Sequence, residues 1–339
     1  MVNINRRTFG RLADGSAVFA HVLGSQNGLQ AQVLTLGGIL HSLTLPVQGR
    51  RMPLVVSLPD VQDYLQDRAY LGQLVGRFAN RIGGATFELG GQRFELPANN
   101  GANTLHGGEP SFGKQLWRVV DSGSGRRSFL KLALRSPDGS SGFPGNLDVT
   151  ALISIEDNTL TLAWEATTDA PTPVSLTWHP YFNFTGDAHL TIGDHTLRIA
   201  ASHYLPVSVA LIPTGEVAPV TGTPFDFRAA KPVRAPPAQV PPQLSDVGGF
   251  DHCWVLDKAA RVAAQLYCPA SGVSMQLLTD LPGLQFYDGN QLPATHAGMH
   301  GLCLEPEHFP DAPNQPRFPD CILRPGQVHR SFMSYVFSS

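Results

Sequence analysis

One glutamate and two histidines lie in sequence settings that suit proton transfer. Glu305 follows the apolar run Leu302-Cys-Leu and precedes a proline. Apolar cover disfavours the charged carboxylate, so we expect the pKa of Glu305 to be raised towards that of a general base. His179 lies between a short alternating apolar run and a turn, and an imidazole ordinarily titrates near neutral pH. His106 precedes Gly107-Gly108, which predicts a close approach of the backbone to a ligand.

A carboxylate and an imidazole together could open a sugar ring. Reaction at the anomeric carbon needs one group to remove the hydroxyl proton and another to protonate the ring oxygen. Glu305 suits the first task and His179 the second. Trp178, Tyr181 and Phe182 flank the histidine, and aromatic faces suit the C–H faces of a sugar. A histidine among aromatic residues is also typical of a protein core, so the rest of the chain must decide.

Other polar residues occur in turn-like segments. They are Asn80-Arg81 in G-R-F-A-N-R-I, His106 in L-H-G-G, and Asp251 in F-D-H-C-W. Each is compatible with a purely structural role, such as pairing with a surface charge, bracing a turn or capping one. Together with Glu305 and His179 they provide the acids, bases and hydrogen-bonding groups that a sugar requires.

Composition excludes several classes of function. The 339 residues are 42% hydrophobic and 15% charged, which is typical of a globular protein with a large core. The formal net charge is −3 and no block of Lys or Arg is present, so we expect no nucleic-acid or membrane partner. The cysteines are widely spaced, which indicates neither a zinc site nor a disulfide framework. We expect all four to be buried in strands: Cys253, Cys268, Cys303 and Cys321.

The N-terminal segment has two arginines, Arg6-Arg7, without an apolar run after them. That pattern matches neither a secretory signal nor a membrane span. We therefore expect a cytoplasmic protein.

Alternating and continuous apolar runs predict a chain dominated by strands. Residues 30–47 predict two strands with a bend at Gly37-Gly38, and Asp157-Asn158 predicts a two-residue hairpin turn. Further strands are expected at 129–135, 147–156, 159–167, 262–268, 273–278, 284–287 and 332–337. One short helix is predicted at 61–71, capped by Asp60. With 34 glycines and 28 prolines as punctuation, the pattern favours a large antiparallel sandwich.

The proline-rich segment 231–244 is the best candidate for a linker. Strand patterns are similar on both sides of it, so we interpret it as a surface loop. No repeat of fixed period is present.

The motifs together resemble those of the aldose 1-epimerase (galactose mutarotase) family. They are G-R-F-A-N-R-I, L-H-G-G, H-P-Y-F-N-F, P-F-D-F-R, F-D-H-C-W, L-Q-F-Y-D-G-N and L-E-P-E-H-F-P-D-A-P-N-Q-P. The resemblance implies an all-β supersandwich with few short helices, forming a single domain over residues 1–339. It also implies interconversion of the α and β anomers of free hexoses, such as glucose and galactose, without cofactor or metal. The chain would be a monomer or a homodimer.

The resemblance also implies roles for residues at matching positions. Glu305 corresponds to the general base on the anomeric hydroxyl and His179 to the general acid at the ring oxygen. His106 corresponds to a second histidine near that oxygen. The implied sugar contacts are Asn80, Arg81, Asp251 and Gln285, with Tyr181 in the pocket wall. Gly113, Phe143 and Trp178 depart from residues common in the family, which leaves the sugar preference open.

A hexose-phosphate 1-epimerase or a carbohydrate-binding protein could be built on the same scaffold. The epimerase would need a cationic cluster for phosphate, for which the sequence offers only Arg77 and Arg81. A non-catalytic carbohydrate-binding protein would need no acid–base pair.

A glycoside hydrolase or a metal enzyme would use different chemistry. The hydrolase would use Asp251 and Glu305 as its carboxylate pair, but would leave both histidines without a required role. A metal enzyme would use His296 and His300 with Glu305 or His308. Glycines at 298 and 301 make a helical ligand pair unfavourable there.

Overall fold

The protein is built almost entirely of β-strands. A computed structural model describes residues 6–25, 27–234, 240–292 and 300–339. Within these ranges there are 27 strands and two short α-helices. None of the described helices is long and apolar enough to cross a membrane.

The strands are spread along the whole of the described chain. They are β1 Arg6–Arg11, β2 Ala17–Gly24, β3 Gln30–Leu34, β4 Leu40–Val47, β5 Arg50–Pro53, β6 Leu74–Val75, β7 Arg81–Ile82, β8 Thr86–Leu89, β9 Gln92–Glu95, β10 Thr104–Leu105, β11 Arg118–Gly123, β12 Arg127–Ser136, β13 Leu147–Glu156, β14 Thr159–Thr168, β15 Thr172–Pro173, β16 Thr177–Trp178, β17 Thr196–Ile199, β18 His203–Leu205, β19 Ala218–Pro219, β20 Lys231–Pro232, β21 Asp251–Val255, β22 Ala264–Tyr267, β23 Ser274–Thr279, β24 Gly283–Tyr287, β25 Cys303–Glu307, β26 Ile322–Leu323 and β27 His329–Ser338. The helices are α1 Val61–Gln66 and α2 Pro242–Ser245.

Three large antiparallel sheets organise these strands. The first is the meander β1-β2-β3-β4-β5, the second has nine strands in the order β11-β12-β13-β14-β27-β23-β22-β17-β20, and the third is β19-β18-β21-β24-β25. Short ladders join β7 to β10, β6 to β16, β8 to β9 and β15 to β26. Long strands such as β27 bury alternate residues, because successive side chains point to opposite faces of a sheet.

One large hydrophobic cluster connects the three sheets. It includes Leu43 from the first sheet, Ile153 and Leu162 from the second, and Trp254 and Phe286 from the third, all with 0% exposure. This packing of sheet on sheet confirms the expected all-β sandwich with few short helices.

Each strand predicted from the apolar pattern overlaps an observed strand, although the structure has many further short strands. Strands β13 and β14 are joined by Asp157-Asn158, with Glu156 opposite Thr159 and a positive φ of 52° at Asp157. Helix α1 begins after Asp60, whose side chain accepts the backbone N–H of Asp63, but it ends at Gln66 rather than at residue 71. Part of the predicted loop 231–244, including Pro236 and Pro237, lies outside the described residues.

Arg77 holds a surface loop from within the protein. Its side chain is buried and donates to the backbone carbonyls of Ser136, Pro137, Pro144 and Gly145 at 2.8–3.0 Å. The guanidinium group therefore satisfies the backbone of the loop that joins β12 to β13.

Arg77→Met should lower the free energy of unfolding by roughly 2–4 kcal/mol, because it leaves several buried carbonyl groups without a donor. Urea denaturation measures this change. The exposed Arg118→Met should change it by less than about 0.5 kcal/mol. Equal effects of the two substitutions would contradict the structural role of Arg77.

Candidate active site

A cavity of about 160 Å³ is lined by all eight residues to which the family resemblance assigns a catalytic or sugar-binding role. Its lining includes Asn80, Arg81, His106, His179, Tyr181, Asp251, Gln285 and Glu305. These residues lie up to 225 positions apart in the chain, from Asn80 to Glu305. The fold therefore brings the predicted set together.

The third sheet supplies the acidic side of the cavity. In its ladder Gln285 on β24 lies opposite Glu305 on β25, and Asp251 on β21 lies opposite Tyr287. Residues two apart on a strand share a face. The same face of β25 therefore carries both Glu305 and Glu307.

Glu305 and His179 face each other in the buried part of the cavity. Oε2 of Glu305 lies 3.5 Å from Nε2 of His179. Burial raises the pKa of Glu305 well above its usual value, and the nearby carboxyls of Glu307 and Asp251 raise it further. The direction agrees with the expectation from its apolar neighbours.

Burial lowers the pKa of His179 to about 4. The sequence-based expectation of a near-neutral pKa is therefore wrong for this cavity, because desolvation disfavours the imidazolium. The raised pKa of Glu305 and the lowered pKa of His179 both favour the uncharged side chains, so the one exchangeable proton of the pair rests on Glu305.

The short ladder β6–β16 fixes the backbone of His179. The His179 N–H donates to the Gln73 carbonyl at 3.0 Å, and the His179 carbonyl accepts the Gly72 N–H at 2.9 Å. Alternation then sends Trp178 and Phe182 into the hydrophobic core. The expectation that both flank the sugar is wrong, since they lie on the opposite side of this extended segment.

Tyr181 shares the side of His179 and lines the cavity. The two ring centroids are 5.1 Å apart, and the Tyr181 hydroxyl donates to the Ala69 carbonyl at 2.9 Å. This bond fixes the ring as part of the wall, as expected.

Cys303 lies behind His179, with its Sγ 3.4 Å from Nδ1. Burial raises the pKa of Cys303 well above its usual value, so it stays a thiol. Because Nδ1 contacts Cys303, Nε2 is the ring nitrogen that faces Glu305.

All four cysteines are buried and free. Cys268 and Cys321, however, lie one residue outside strands rather than within them.

Arg81, on β7, contacts Asn100 and also Asp251 of the third sheet across the cavity. It lies opposite Leu105 in the β7–β10 ladder. Its Nε donates to Oδ1 of Asn100 at 3.0 Å, and its guanidinium lies 3.5 Å from Oδ2 of Asp251. The side-chain amide of Gln285 donates to the other oxygen of Asp251. This network holds several donors and acceptors at fixed positions around the cavity.

His106 follows β10 and has a defined tautomer. Its Nδ1 accepts the Asn80 N–H at 3.2 Å, so a neutral ring carries its proton on Nε2. Its ring packs edge-on against Tyr70 and His179, with centroids 4.5 and 5.2 Å away. Burial, with the charges of His179 and Arg81, lowers the pKa of His106 well below its usual value.

The glycine after His106 serves the backbone rather than a ligand. Gly107 has a φ of +82°, and a Cβ there would collide with the carbonyl oxygen of Gly76. The backbone at Gly107 does make a close approach, but to the backbone of Gly76 rather than to a ligand.

Sequence reasoning missed part of the cavity lining. These residues are Arg68, Ala69, Tyr70, Asn100, Leu105, Tyr287 and Gln291. The two-residue period of β24 could have indicated Tyr287, which shares a face with Gln285. Tyr70 has no comparable signal, because it lies in a turn with a φ of +58°.

The three departures from the family motifs lie outside the cavity lining. Phe143 is fully buried and stacks on Phe87. A Cβ at Gly113 would collide with Gln73, and Nε1 of Trp178 donates to the Gly38 carbonyl. Packing therefore accounts for these residues, and none contacts the space available to a sugar.

His106, His179 and Glu305 also form a group that could hold a metal ion. Their ligand atoms lie within 4.8 Å of one another. Zinc bonds of about 2.0–2.2 Å would require a spacing of roughly 3.3 Å, so the three side chains would first have to move together. His296, proposed as a ligand from sequence, lies outside the described residues. Among those described, neither His300 nor His308 joins such a group.

The sequence matches a known protein family over most of its length. The sequence model of the family described as aldose 1-epimerase matches residues 20–336. The chain is 37% identical to human galactose mutarotase, over 100% of this chain and 99% of that protein. It is 35% identical to aldose 1-epimerase of Escherichia coli K12, over 96% of each chain.

Solved structures show the same fold. The galactose 1-epimerase of Lactobacillus acidophilus NCFM superimposes with a TM-score of 0.86 at 27% identity, covering 100% of this chain and 99% of that one. An aldose epimerase homologue from C. elegans superimposes with a TM-score of 0.84 at 28% identity, covering 94% and 99%.

Proposed function

The chain belongs to the aldose 1-epimerase family, and from this membership we propose that it is a mutarotase acting on free hexoses such as glucose and galactose. The observation that carries the proposal is the buried Glu305–His179 pair, 3.5 Å apart, in a cavity lined by polar groups. The reaction is an isomerisation in which no group leaves the sugar.

In the proposed mechanism, Glu305 and His179 exchange protons with the sugar. The carboxylate of Glu305 takes the proton of the anomeric hydroxyl as the bond between C1 and the ring oxygen breaks. The pair reacts with its one exchangeable proton on His179, and this imidazolium gives the proton from Nε2 to that oxygen, which leaves a neutral imidazole and yields the open-chain aldehyde. Rotation about the C1–C2 bond and reversal of both transfers give the other anomer and restore the enzyme.

The remaining polar residues hold the sugar in place. Arg81, Asp251 and Gln285 are linked to one another and present charged and amide groups to sugar hydroxyls. His106 directs its Nε2–H as a donor near the ring oxygen, and Tyr181 forms part of the wall. Because these groups are fixed before the sugar arrives, little ordering is required on binding.

A phosphorylated substrate is less compatible with the site. Arg77 is buried and donates hydrogen bonds to the loop after β12. Arg81 forms an ion pair with Asp251 and a hydrogen bond with Asn100. Arg68 is the one further cation in the lining as described. The charge available for a phosphate is therefore small.

A glycosidase and a non-catalytic binding protein also receive less support. Asp251 is bound by Arg81 and Gln285, which suits a hydrogen-bond acceptor better than the acid or nucleophile of a glycosidase. Sugar binding alone does not require a buried acid and base that face each other, as Glu305 and His179 do.

We also propose that residues 1–339 form one domain, since the family match spans both sides of segment 231–244 and the large cluster joins all three sheets. A cytoplasmic location is supported by the four buried, free thiols. The protein is a monomer or a homodimer, two states that light scattering distinguishes.

The purified protein should accelerate the mutarotation of freshly dissolved α-glucose and α-galactose, followed by polarimetry. We expect the rate to persist in EDTA, because the mechanism uses only side-chain acids and bases. Glucose 6-phosphate should react more slowly than glucose. If EDTA abolishes activity and zinc restores it, the metal-free mechanism is wrong, and a preference for the phosphate ester would favour a hexose-phosphate 1-epimerase.

A further inference from the structure

A second glutamate lies beside the catalytic pair and is not used by the proposed mechanism. Glu307 is the last residue of β25 and has 0% exposure. It does not line the cavity, so it cannot contact the sugar directly. A fully buried carboxyl group is costly to keep unless it satisfies a specific partner.

The partner of Glu307 is Asn80. Oε1 of Glu307 accepts a hydrogen bond of 3.1 Å from the side-chain amide Nδ2 of Asn80. The other carboxyl oxygen has no hydrogen-bond partner among the described residues. Oε1 of Glu307 is therefore the acceptor that fixes the side-chain amide of Asn80.

Asn80 in turn holds two residues of the cavity. Its side-chain Oδ1 accepts the backbone N–H of Arg81 at 2.9 Å and contacts the Arg81 guanidinium at 3.4 Å. Its backbone N–H donates to Nδ1 of His106, and its carbonyl accepts the His106 N–H at 2.9 Å. Asn80 has a φ of +60°, in the left-handed region that asparagine adopts more readily than most residues.

We infer that Glu307 is a positioning residue that acts through Asn80 to fix Arg81 and His106 for sugar binding. The inference rests on the proposed mutarotase function. Its chemistry is that of a buried hydrogen-bond acceptor, a role that the carbonyl oxygen of glutamine can also fill. It requires no proton transfer by Glu307.

Glu307→Gln and Glu307→Met form the matched pair that tests this role. Gln keeps an acceptor for Asn80, whereas Met fills the space without one. We expect Glu307→Gln to retain kcat/KM within about threefold, and Glu307→Met to lose roughly 10- to 100-fold, since small misplacements of binding groups cost this much. The loss should include a raised KM, because Arg81 and His106 are the groups displaced.

A double-mutant cycle with Asn80→Ala tests the route of the effect. If Glu307 acts through Asn80, adding Glu307→Met to Asn80→Ala should cost less than about twofold. Leu266→Ala, in the core of the nine-stranded sheet, is the control for general destabilisation, and should lower Tm without changing KM.

A swapped pair keeps the test open even if Glu307→Met fails to fold. Asn80→Asp places a carboxylate opposite the carboxyl group of Glu307, so neither side chain donates and kcat/KM should fall. Adding Glu307→Gln should raise kcat/KM at least tenfold above that of Asn80→Asp, because the glutamine amide can donate to the new carboxylate. Additive losses in the cycle, no restoration by the swap, or equal losses from Gln and Met would each overturn the inference. An inactive wild-type enzyme would instead refute the proposed function.

Discussion

Glu305→Gln is expected to lower kcat for mutarotation by roughly 10²- to 10⁴-fold, the usual range for loss of a general base. The amide keeps the size of the side chain, but it cannot take the proton of the anomeric hydroxyl. Sugar binding should change much less, because Arg81, Asp251 and Gln285 keep their mutual contacts. Polarimetry over a range of sugar concentrations separates kcat from KM.

The pH profile provides a second measure of the same residue. A base works only when it is deprotonated, so kcat/KM should fall as the pH drops through the raised pKa of Glu305. That fall should begin at a higher pH than for an ordinary glutamate. Glu305→Gln should show no such acid limb in its residual activity.

Glu165→Gln is the matched control for this experiment. Glu165 is a half-exposed carboxylate on β14 that pairs with Arg330 at 2.7 Å, and it does not line the cavity. Its replacement should leave both kcat and the pH profile unchanged. A Glu305→Gln enzyme with nearly wild-type kcat would remove Glu305 from the base role.

The strands predicted from sequence could be recognised because each follows a local pattern. Alternation along 147–156 and 159–167 and the Asp-Asn turn between them are sufficient to specify a hairpin. The predicted helix is too long, because its end depends on a side chain rather than on periodicity. The carboxylate of Asp67 accepts the N–H groups of Ala69 and Leu71, which turns the chain away from the helical path.

The cavity could be predicted only where its residues belong to recognisable motifs. Tyr70 and Asn100 reach it through turns that bring distant segments together, and no periodic pattern marks them. Glu307 is part of a motif, but its importance depends on a contact with Asn80, 227 positions away. Long-range contacts of this kind are created by the tertiary fold.

Electrostatic properties are the least accessible to sequence. The apolar run before Glu305 indicates the direction of its pKa shift, but the contributions of Glu307 and Asp251 depend on the packing of β21 against β24 and β25. For His179, the expected near-neutral pKa is wrong because its sequence neighbours do not reveal how completely the ring is desolvated.

His179→Asn should lower mainly kcat, by roughly 10²- to 10⁴-fold as expected for loss of a general acid. His179 faces Glu305 at 3.5 Å, so the two can act at neighbouring oxygens of one sugar. Its Nδ1 contacts Sγ of Cys303, so Nε2 is the nitrogen that faces Glu305 and delivers the proton. Asparagine can donate a hydrogen bond there, but it cannot transfer a proton.

His106→Asn should instead raise KM and lower kcat together. Its Nδ1 is held by the backbone of Asn80, so the ring presents an Nε2–H donor that acts in both the ground state and the transition state. Both variants should be compared by polarimetry after circular dichroism has confirmed their folding. If His106→Asn lowers kcat far more than His179→Asn does, the two histidines have the opposite roles, and the facing geometry of Glu305 and His179 would then serve binding rather than proton delivery.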